Sequence, residues 1–204
     1  MIAADGVLNA LDYTRTCTCS YALQTSLAMI HMPDDSNIEF WTRYTGARPD
    51  PSGHGINFGA PGRRVDVGGS GLVWYDEEGD DHRHPSAIRD SGGGIDWVLA
   101  SVREGGGVVE IPELLDRRYT VRLHFAELDE RVRPGQRVFD VFIDGRRVLE
   151  RYDIVEEANG ALRGTVEVFV VDVENGVMDI ELSMSGDSRL DPAISGIELI
   201  AENR

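Results

Sequence analysis

Residues 138–145 read VFDVFIDG, and no other stretch constrains the fold as tightly. Phe139, Val141 and Ile143 alternate with Asp140 and Phe142, the period of a strand with one face in a core. The run ends at Asp144-Gly145, a pair suited to a type I′ turn because both central residues need positive φ. A strand-like run, TVRLHF at 120–125, precedes it across an acidic, arginine-rich loop. Asn175-Gly176 is a second hairpin signal. It opens onto VMDIELSM, where Met178, Ile180, Leu182 and Met184 are expected to face inward and Asp179, Glu181 and Ser183 outward. TVEVFVVDV at 165–173 is rich in β-branched residues, and PAISGIELI at 192–200 reads as a closing strand. Gly196 within it marks a bulge or a close backbone approach. DWVLASV at 96–102 fits a strand or one helical turn. Successive strand signals with almost no amphipathic helix predict an all-β chain, an antiparallel two-sheet β-sandwich.

Composition narrows the partners. The chain has 204 residues, enough for a real core, and 36 acids against 20 bases give a net charge of −16. Such a surface gains nothing from nucleic acid or anionic lipid, so neither is an expected partner. All 20 bases are arginine, which reads as a compositional bias of the lineage. No apolar run reaches the roughly 20 residues of a membrane helix, so no insertion is expected.

The start, MIAADGVLNALDY, lacks the basic head and apolar core of a signal peptide. The chain is therefore either cytoplasmic or a piece of something longer. Residues 1–48 do not read like the start of a sandwich; they carry short strand candidates at 26–32 and 38–44. PDPSGHG at 49–55 is a turn-rich linker, placing an N-terminal appendage at 1–48 and the sandwich at 49–204. Cys17 and Cys19 are one residue apart, too close for an unstrained disulfide with each other; free thiols and pairing with an absent cysteine both stay open.

Two resemblances follow from these residues. The wording FAE (125–127), a short loop, then VFDVFIDG resembles the middle of malectin and malectin-like domains, which are carbohydrate-binding β-sandwiches. Ile56, Asn57, Gly59, Pro61, Asp66, Trp74 and Asp76 match the opening of that family, with Ala60 replacing one of its glycines, and PAISGIELI matches its close. The resemblance spans about residues 55–201 and implies a jelly-roll-like form. CTCSY…QTSLA…HMP in residues 17–33 resembles the tail that follows quinoprotein-like, PQQ-type β-propellers in large secreted bacterial proteins. A quinone would belong to that propeller and not to this chain, for which no cofactor is expected beyond a structural Ca²⁺. The location implied is secreted, periplasmic or cell-surface.

A sugar site needs flat apolar faces for the ring and carboxylates or amides for its hydroxyls. The aromatic candidates are Trp74, Tyr75, Trp97, Tyr119 and Tyr152; the polar ones are Asp76, Glu127, Asp129 and Asp191. Trp74 and Tyr119 read equally as core residues at strand ends. Animal malectins place a Tyr-Phe pair in the loop after FAE, where this chain has Asp129 and Glu130. The family's aspartate before the final strand corresponds most nearly to Asp191, with Leu190 at the strict equivalent. The family's α-glucoside specificity is therefore not carried over.

Asp76, Glu78, Asp80, Asp81, His82 and His84 form a candidate metal loop, with imidazoles at i and i+2 and carboxylates for Ca²⁺ or another ion. A solvated loop in which Arg83 neutralises its neighbours is the preferred reading. Asp66, Asp144, Gly145, Asn175 and Gly176 are assigned to turns. His124 alternates outward from Val121, Leu123 and Phe125 and is expected on the surface. G-x-S-x-G and C-x-x-C are absent, so no catalytic role is expected. The reading is a non-catalytic carbohydrate-binding module of a larger protein, with an oligosaccharide and a neighbouring domain as partners. The alternative is a structural sandwich that has lost sugar binding and packs on a neighbouring domain.

Overall fold

The computed structural model describes residues 2–4, 7–10, 27–30, 53–59, 64–65 and 72–202. Cys17, Cys19, Ala60, Pro61, Asp66, the strand candidate at 38–44 and the first part of the expected linker lie outside the described residues. The chain divides into two compact units, Met1–Trp41 and Thr42–Arg204. In the first, β1 (Ile2–Ala4), β2 (Val7–Ala10) and β3 (Leu27–Ile30) form an antiparallel sheet in that order.

The second unit carries β4 (Gly53–Phe58), β5 (Arg64–Val65), β6 (Val73–Glu77), β7 (Asp81–His82), a 3₁₀ turn (Pro85–Ala87), α1 (Asp96–Leu99), β8 (Ser101–Glu104) and β9 (Gly107–Ile111). Then come β10 (Arg118–Ala126), β11 (Val138–Ile143), β12 (Arg146–Asp153), α2 (Ile154–Glu157), β13 (Gly164–Asp172), β14 (Met178–Met184), β15 (Ala193–Ile194) and β16 (Gly196–Ala201). One sheet runs β13-β10-β16-β4-β6-β5, the other β12-β11-β14-β9, and a short third runs β15-β8-β7. Among the described strands all pairings are antiparallel except β4 with β6. The architecture is the expected sandwich.

The core lies where the inner faces meet. Tyr119, Val121, Leu123 and Phe125 of β10 and Ile197 and Leu199 of β16 oppose Phe139, Val141 and Ile143 of β11 and Met178, Ile180 and Leu182 of β14, all buried. Phe125, Phe139 and Tyr152 form a ring trio with centroids 5.0–5.9 Å apart, joining the two sheets at one end. Each such side chain stabilises by about 1.5–3 kcal/mol through burial. The alternation of β14 holds through Leu182 and lapses at Met184, the last residue of the strand, which is half exposed (50%) because core cover runs out there.

Four expectations change in three dimensions. The GHG of the expected linker is the start of β4, because it pairs with β16 in the register Gly53↔Ile200 to Gly55↔Glu198. Asn175-Gly176 is not a hairpin turn: β13 and β14 lie in different sheets. Both residues have positive φ (67° and 71°), and Gly176 N–H donates to Asp116 Oδ1 at 2.8 Å, so the corner is tied to the 113–117 loop and passes the chain across. Residues 96–102 supply both the helical turn α1 and the start of β8. His124 is fully buried, not on the surface.

That burial has a clear cause. The part of the outer face of the six-stranded sheet around His124 is covered by the segment 91–99. Arg122 Nη2 donates to the Gly93 carbonyl at 3.0 Å, and a Cβ on Gly94 would stand 3.1 Å from His124 Nδ1. Trp74 lies on the same face, edge-on to Trp97 (5.4 Å) and to His124 (5.6 Å). It rests on bare backbone: a Cβ on Gly55 would sit 2.0 Å from Trp74 Cδ2, and one on Gly196 3.2 Å from its Cζ3. Buried Glu198 accepts from Arg122 Nη1 at 3.0 Å and lies 3.4 Å from His124 Nε2.

A second buried charge joins the sheets. Arg137, immediately before β11, donates from Nε to Glu127 Oε2 (2.7 Å) just after β10, from Nη2 to Glu104 Oε1 (2.6 Å) of β8, and from Nη1 to the Asp191 carbonyl before β15. Arg137 and Glu127 are each 3% exposed.

Removing one partner of a buried pair strands the other. Arg137→Ala should lower unfolding free energy by about 3–5 kcal/mol, whereas the double change Glu127→Leu/Arg137→Met should cost clearly less. Urea denaturation of both variants checks this. On the outer face, Gly55→Ala should destabilise by about 3 kcal/mol through overpacking against Trp74, while Gly186→Ala, with open space around it, should stay within about 0.5 kcal/mol. Thermal melts of the two, side by side, test the assignment.

Candidate functional site

The loop between β10 and β11 is built by its own acids. Asp129 N–H donates to Glu127 Oε1 (2.9 Å), and Arg131 N–H to Asp129 Oδ1 (2.9 Å), with the Arg131 guanidinium closing on the same carboxylate at 2.7 Å. That guanidinium holds the Asp129 carboxyl well below its ordinary range. Arg133 N–H donates to Gln136 Oε1 (2.8 Å), and its Nη1 to the Glu130 carbonyl (2.6 Å). Gly135 N–H donates to Asp153 Oδ2. The other Asp153 oxygen caps α2, accepting from Val155 N–H (2.9 Å) and Glu156 N–H (3.2 Å). After α2, Asn159 (φ 56°), Gly160 (φ 133°) and Leu162 (φ 56°) turn the chain sharply into β13. Leu162 N–H returns to the Glu127 carbonyl at 2.8 Å.

Between this loop and the α2 corner opens a cleft of about 530 Å³. Arg89, Glu130, Arg133, Glu156, Asn159 and Arg163 supply its polar groups, and Val132, Pro134, Val155 and Ala161 its apolar floor. Arg89 pairs with Glu130, and Arg163 Nη1 reaches Asp90 Oδ2 at 3.2 Å. Three guanidinium groups, two carboxylates and an amide around one concavity form a set of donors and acceptors suited to a hydroxyl-rich ligand. A second concavity of similar volume, lined by Ile143, Val148, Phe169 and Val171 among others, lies between β12 and β13.

Of the nine side chains chosen from sequence for sugar contact, that of Asp76 lies outside the described residues and the other eight do not converge. Trp74 is buried on the outer sheet face, with half-buried Trp97 against it. Tyr75 is half-buried, edge-on to His54 at 5.9 Å. Tyr119 is in the core, its hydroxyl accepting from Leu115 N–H at 3.0 Å. It stands eight residues along β10 from Glu127, about 25 Å in a strand. Tyr152 is buried, its hydroxyl on Glu167 Oε1 (3.1 Å), and burial pushes its ionisation above the ordinary range. Glu127 is held by Arg137, Asp129 by Arg131, and Asp191 is exposed while its carbonyl serves Arg137. Of the set, Glu127, Asp129 and Asp191 gather around the loop that walls the cleft. The residues that line it, Arg89, Arg133, Asn159 and Arg163, carry no sequence signal beyond the turn pair Asn159-Gly160.

The acidic loop at 76–84 spends several of its groups on itself and on neighbouring backbone and side chains. Asp80 Oδ2 accepts from Glu104 N–H (2.7 Å), Asp81 Oδ1 from His82 N–H (2.8 Å), and Arg83 approaches Asp81 at 3.9 Å. His84 Nδ1 meets Ser86 Oγ at 2.8 Å and caps the 3₁₀ turn. Glu78, Asp80, Asp81, His82 and His84 are exposed, and the side chain of Asp76 lies outside the described residues. Among the described residues, no three His, Cys, Asp or Glu side chains are grouped to hold a metal ion. At the turns, Asp144 (φ 49°) and Gly145 (φ 73°) connect β11 to β12.

Comparisons with known proteins agree with this geometry. Residues 110–197 match the model of the Malectin domain family. A probable leucine-rich repeat receptor-like serine/threonine-protein kinase of Arabidopsis thaliana is 38% identical over 73 residues, which are 33% of this chain and 7% of that protein. Among solved structures, the ANX2 ectodomain of Arabidopsis thaliana superposes with a TM-score of 0.63 at 18% identity, covering 74% of this chain and 50% of that one. A chain in the crystal structure of plant peptide RALF23 in complex with FER and LLG2 superposes with a TM-score of 0.61 at 18% identity, covering 74% and 48%. At such identity the superpositions establish fold alone, and the chain spans a small fraction of its sequence relative and about half of each ectodomain. Together these findings show a match to the Malectin domain model over residues 110–197, within a β-sandwich of malectin-like fold.

Proposed function

We propose that residues 55–201 act as a non-catalytic carbohydrate-binding module of a larger protein that works outside the cytoplasm. The observation that carries this reading is the cleft beside Glu130. It opens where the loop after the FAE strand meets the α2 corner, the position at which the resemblance sets ligand contacts. Its character differs from an aromatic sugar platform. Among the described residues no aromatic ring lines it, so the ligand would be held by guanidinium, carboxylate and amide groups taking hydroxyls in pairs, over a small floor of Val132, Pro134 and Val155. The module needs no cofactor for this. The resemblance of residues 17–33 to a propeller tail suggests a bacterial multidomain setting and rests on that wording alone.

A second reading has its own support. The aromatic candidates are buried or half-buried in packing contacts, which suits a sandwich that serves as a structural or protein-interaction unit. One of the similar solved chains comes from the complex of the plant peptide RALF23 with FER and LLG2.

A glycan array followed by titration calorimetry separates the two. The sugar reading expects a saturable hit that Arg163→Ala and Glu130→Gln each weaken about tenfold or more, the loss of one or two charge-assisted hydrogen bonds. Chelation with EDTA should leave the affinity unchanged. Trp74→Ala is unsuitable as a probe because it empties packed space. A folded protein that binds no glycan would set the carbohydrate reading aside in favour of the interaction unit.

A further inference from the structure

We propose that β13 is the contact strand of a weak homodimer, in which two copies pair their β13 strands antiparallel about a two-fold axis at Phe169. The six-stranded sheet would then continue from one copy into the next.

Three observations lead there. First, β13 is the end strand of its sheet, and among the described residues its far edge is met only at the start, where the Asp90 carbonyl accepts from Gly164 N–H at 2.8 Å. Val173 N–H donates to the Arg117 carbonyl on the β10 side, so the odd-numbered residues bond inward. The N–H and C=O groups of Val166, Val168, Val170 and Asp172 therefore point out of the open edge. Second, that edge is long and straight. Its register with β10 runs without a bulge from Arg118↔Asp172 to Ala126↔Gly164. Natural sheets usually guard such an edge with lysine, proline, a bulge or an inward charge; from Val168 to Val171 this one carries only apolar residues, and the inward acid beside them, Glu167, is taken up by the Tyr152 hydroxyl at 3.1 Å. Third, Val168 and Val170 are 56% and 60% exposed, among the most exposed large apolar side chains in the described chain.

The occupant is a second copy because the pattern complements itself. With the axis at Phe169, Val168 of each copy stands opposite Val170 of the other, and both pairs are hydrogen-bonded pairs of the new ladder. Phe169 meets its own counterpart at the intervening non-bonded position, where side chains approach most closely. Val166 stands opposite Asp172, whose charge is already answered by Arg118 at 2.9 Å. One rotation thus covers the exposed valines on both sides, the mark of an isologous contact. Two features keep it weak. A contact along one edge falls below the roughly 1,600 Å² of a standard interface. Each copy also carries −16, so the copies repel until salt screens them.

Sedimentation velocity on the 204-residue chain tests this, from about 5 to about 500 µM in roughly 0.05 M and roughly 0.5 M NaCl, where the Debye length falls from over 10 Å to under 5 Å. The expected result is a monomer–dimer shift with concentration that strengthens at high salt. Val168→Arg and Val170→Arg should hold the chain monomeric, while Val108→Arg, on β9 and also 56% exposed, should leave dimerisation unchanged. Val168→Pro gives a second route, since it removes an N–H that no described strand of the monomer uses. Amide exchange at Val168 and Val170 should slow as concentration rises. A monomer throughout, a dimer indifferent to Val168→Arg, or one lost equally in Val108→Arg would each overturn the proposal.

Discussion

Arg137 sits at the point where three sheets meet, and its guanidinium is almost wholly withdrawn from water. An unanswered charge in that position would cost several kcal/mol, so its surroundings are arranged to answer it. Glu127 approaches from the end of the large sheet, Glu104 from the small one, and the Asp191 carbonyl from the segment entering the closing strand. Because a guanidinium presents a rigid planar fork of donors, these elements must arrive at set angles. The same Glu127 then steers the next step outward. Its second oxygen accepts from Asp129 N–H and its carbonyl from Leu162 N–H, so both walls of the cleft hang from one buried residue.

This explains why the cleft is built from main-chain turns and short polar side chains and not from aromatic surfaces. Large rings are already committed to holding the sheets together, in the trio of Phe125, Phe139 and Tyr152 and in Trp74 on its glycine bed. What remains at the loop end are arginines and acids, the residue types in which the chain is rich. A ligand there is recognised through hydrogen bonds, with specificity set by geometry more than by burial.

The outer sheet face carries a second, smaller core of its own. Trp97 and Val98 of the 91–99 segment pack over Trp74 and His124, and Gly55 and Gly196 are bare so that the indole can lie on backbone. Covering this part of the face leaves β13, at the far edge, as the stretch of the large sheet whose valines stay in water.

Much of the sandwich was legible in the residues alone. Strict alternation in VFDVFI and through Leu182 in VMDIELSM identifies the inner face, since a pleated strand turns successive side chains to opposite sides. The turn pairs Asp144-Gly145 and Asn175-Gly176 mark chain reversals for the local reason that both demand positive φ. Local pattern says nothing about what lies across from a face, and there tertiary structure decided. Alternation placed His124 outward correctly, yet only the arrival of residues 91–99 made outward mean buried. Asn175-Gly176 reverses the chain, but whether it joins two strands of one sheet or crosses between sheets depends on the partners that β13 and β14 find. The cleft is the extreme case. Arg89, Glu130 and the pair Asn159 and Arg163 come from three separate stretches and meet because Glu127 holds Leu162, which in turn holds Arg89. Long-range convergence of that kind has no period, spacing or composition by which a sequence could announce it.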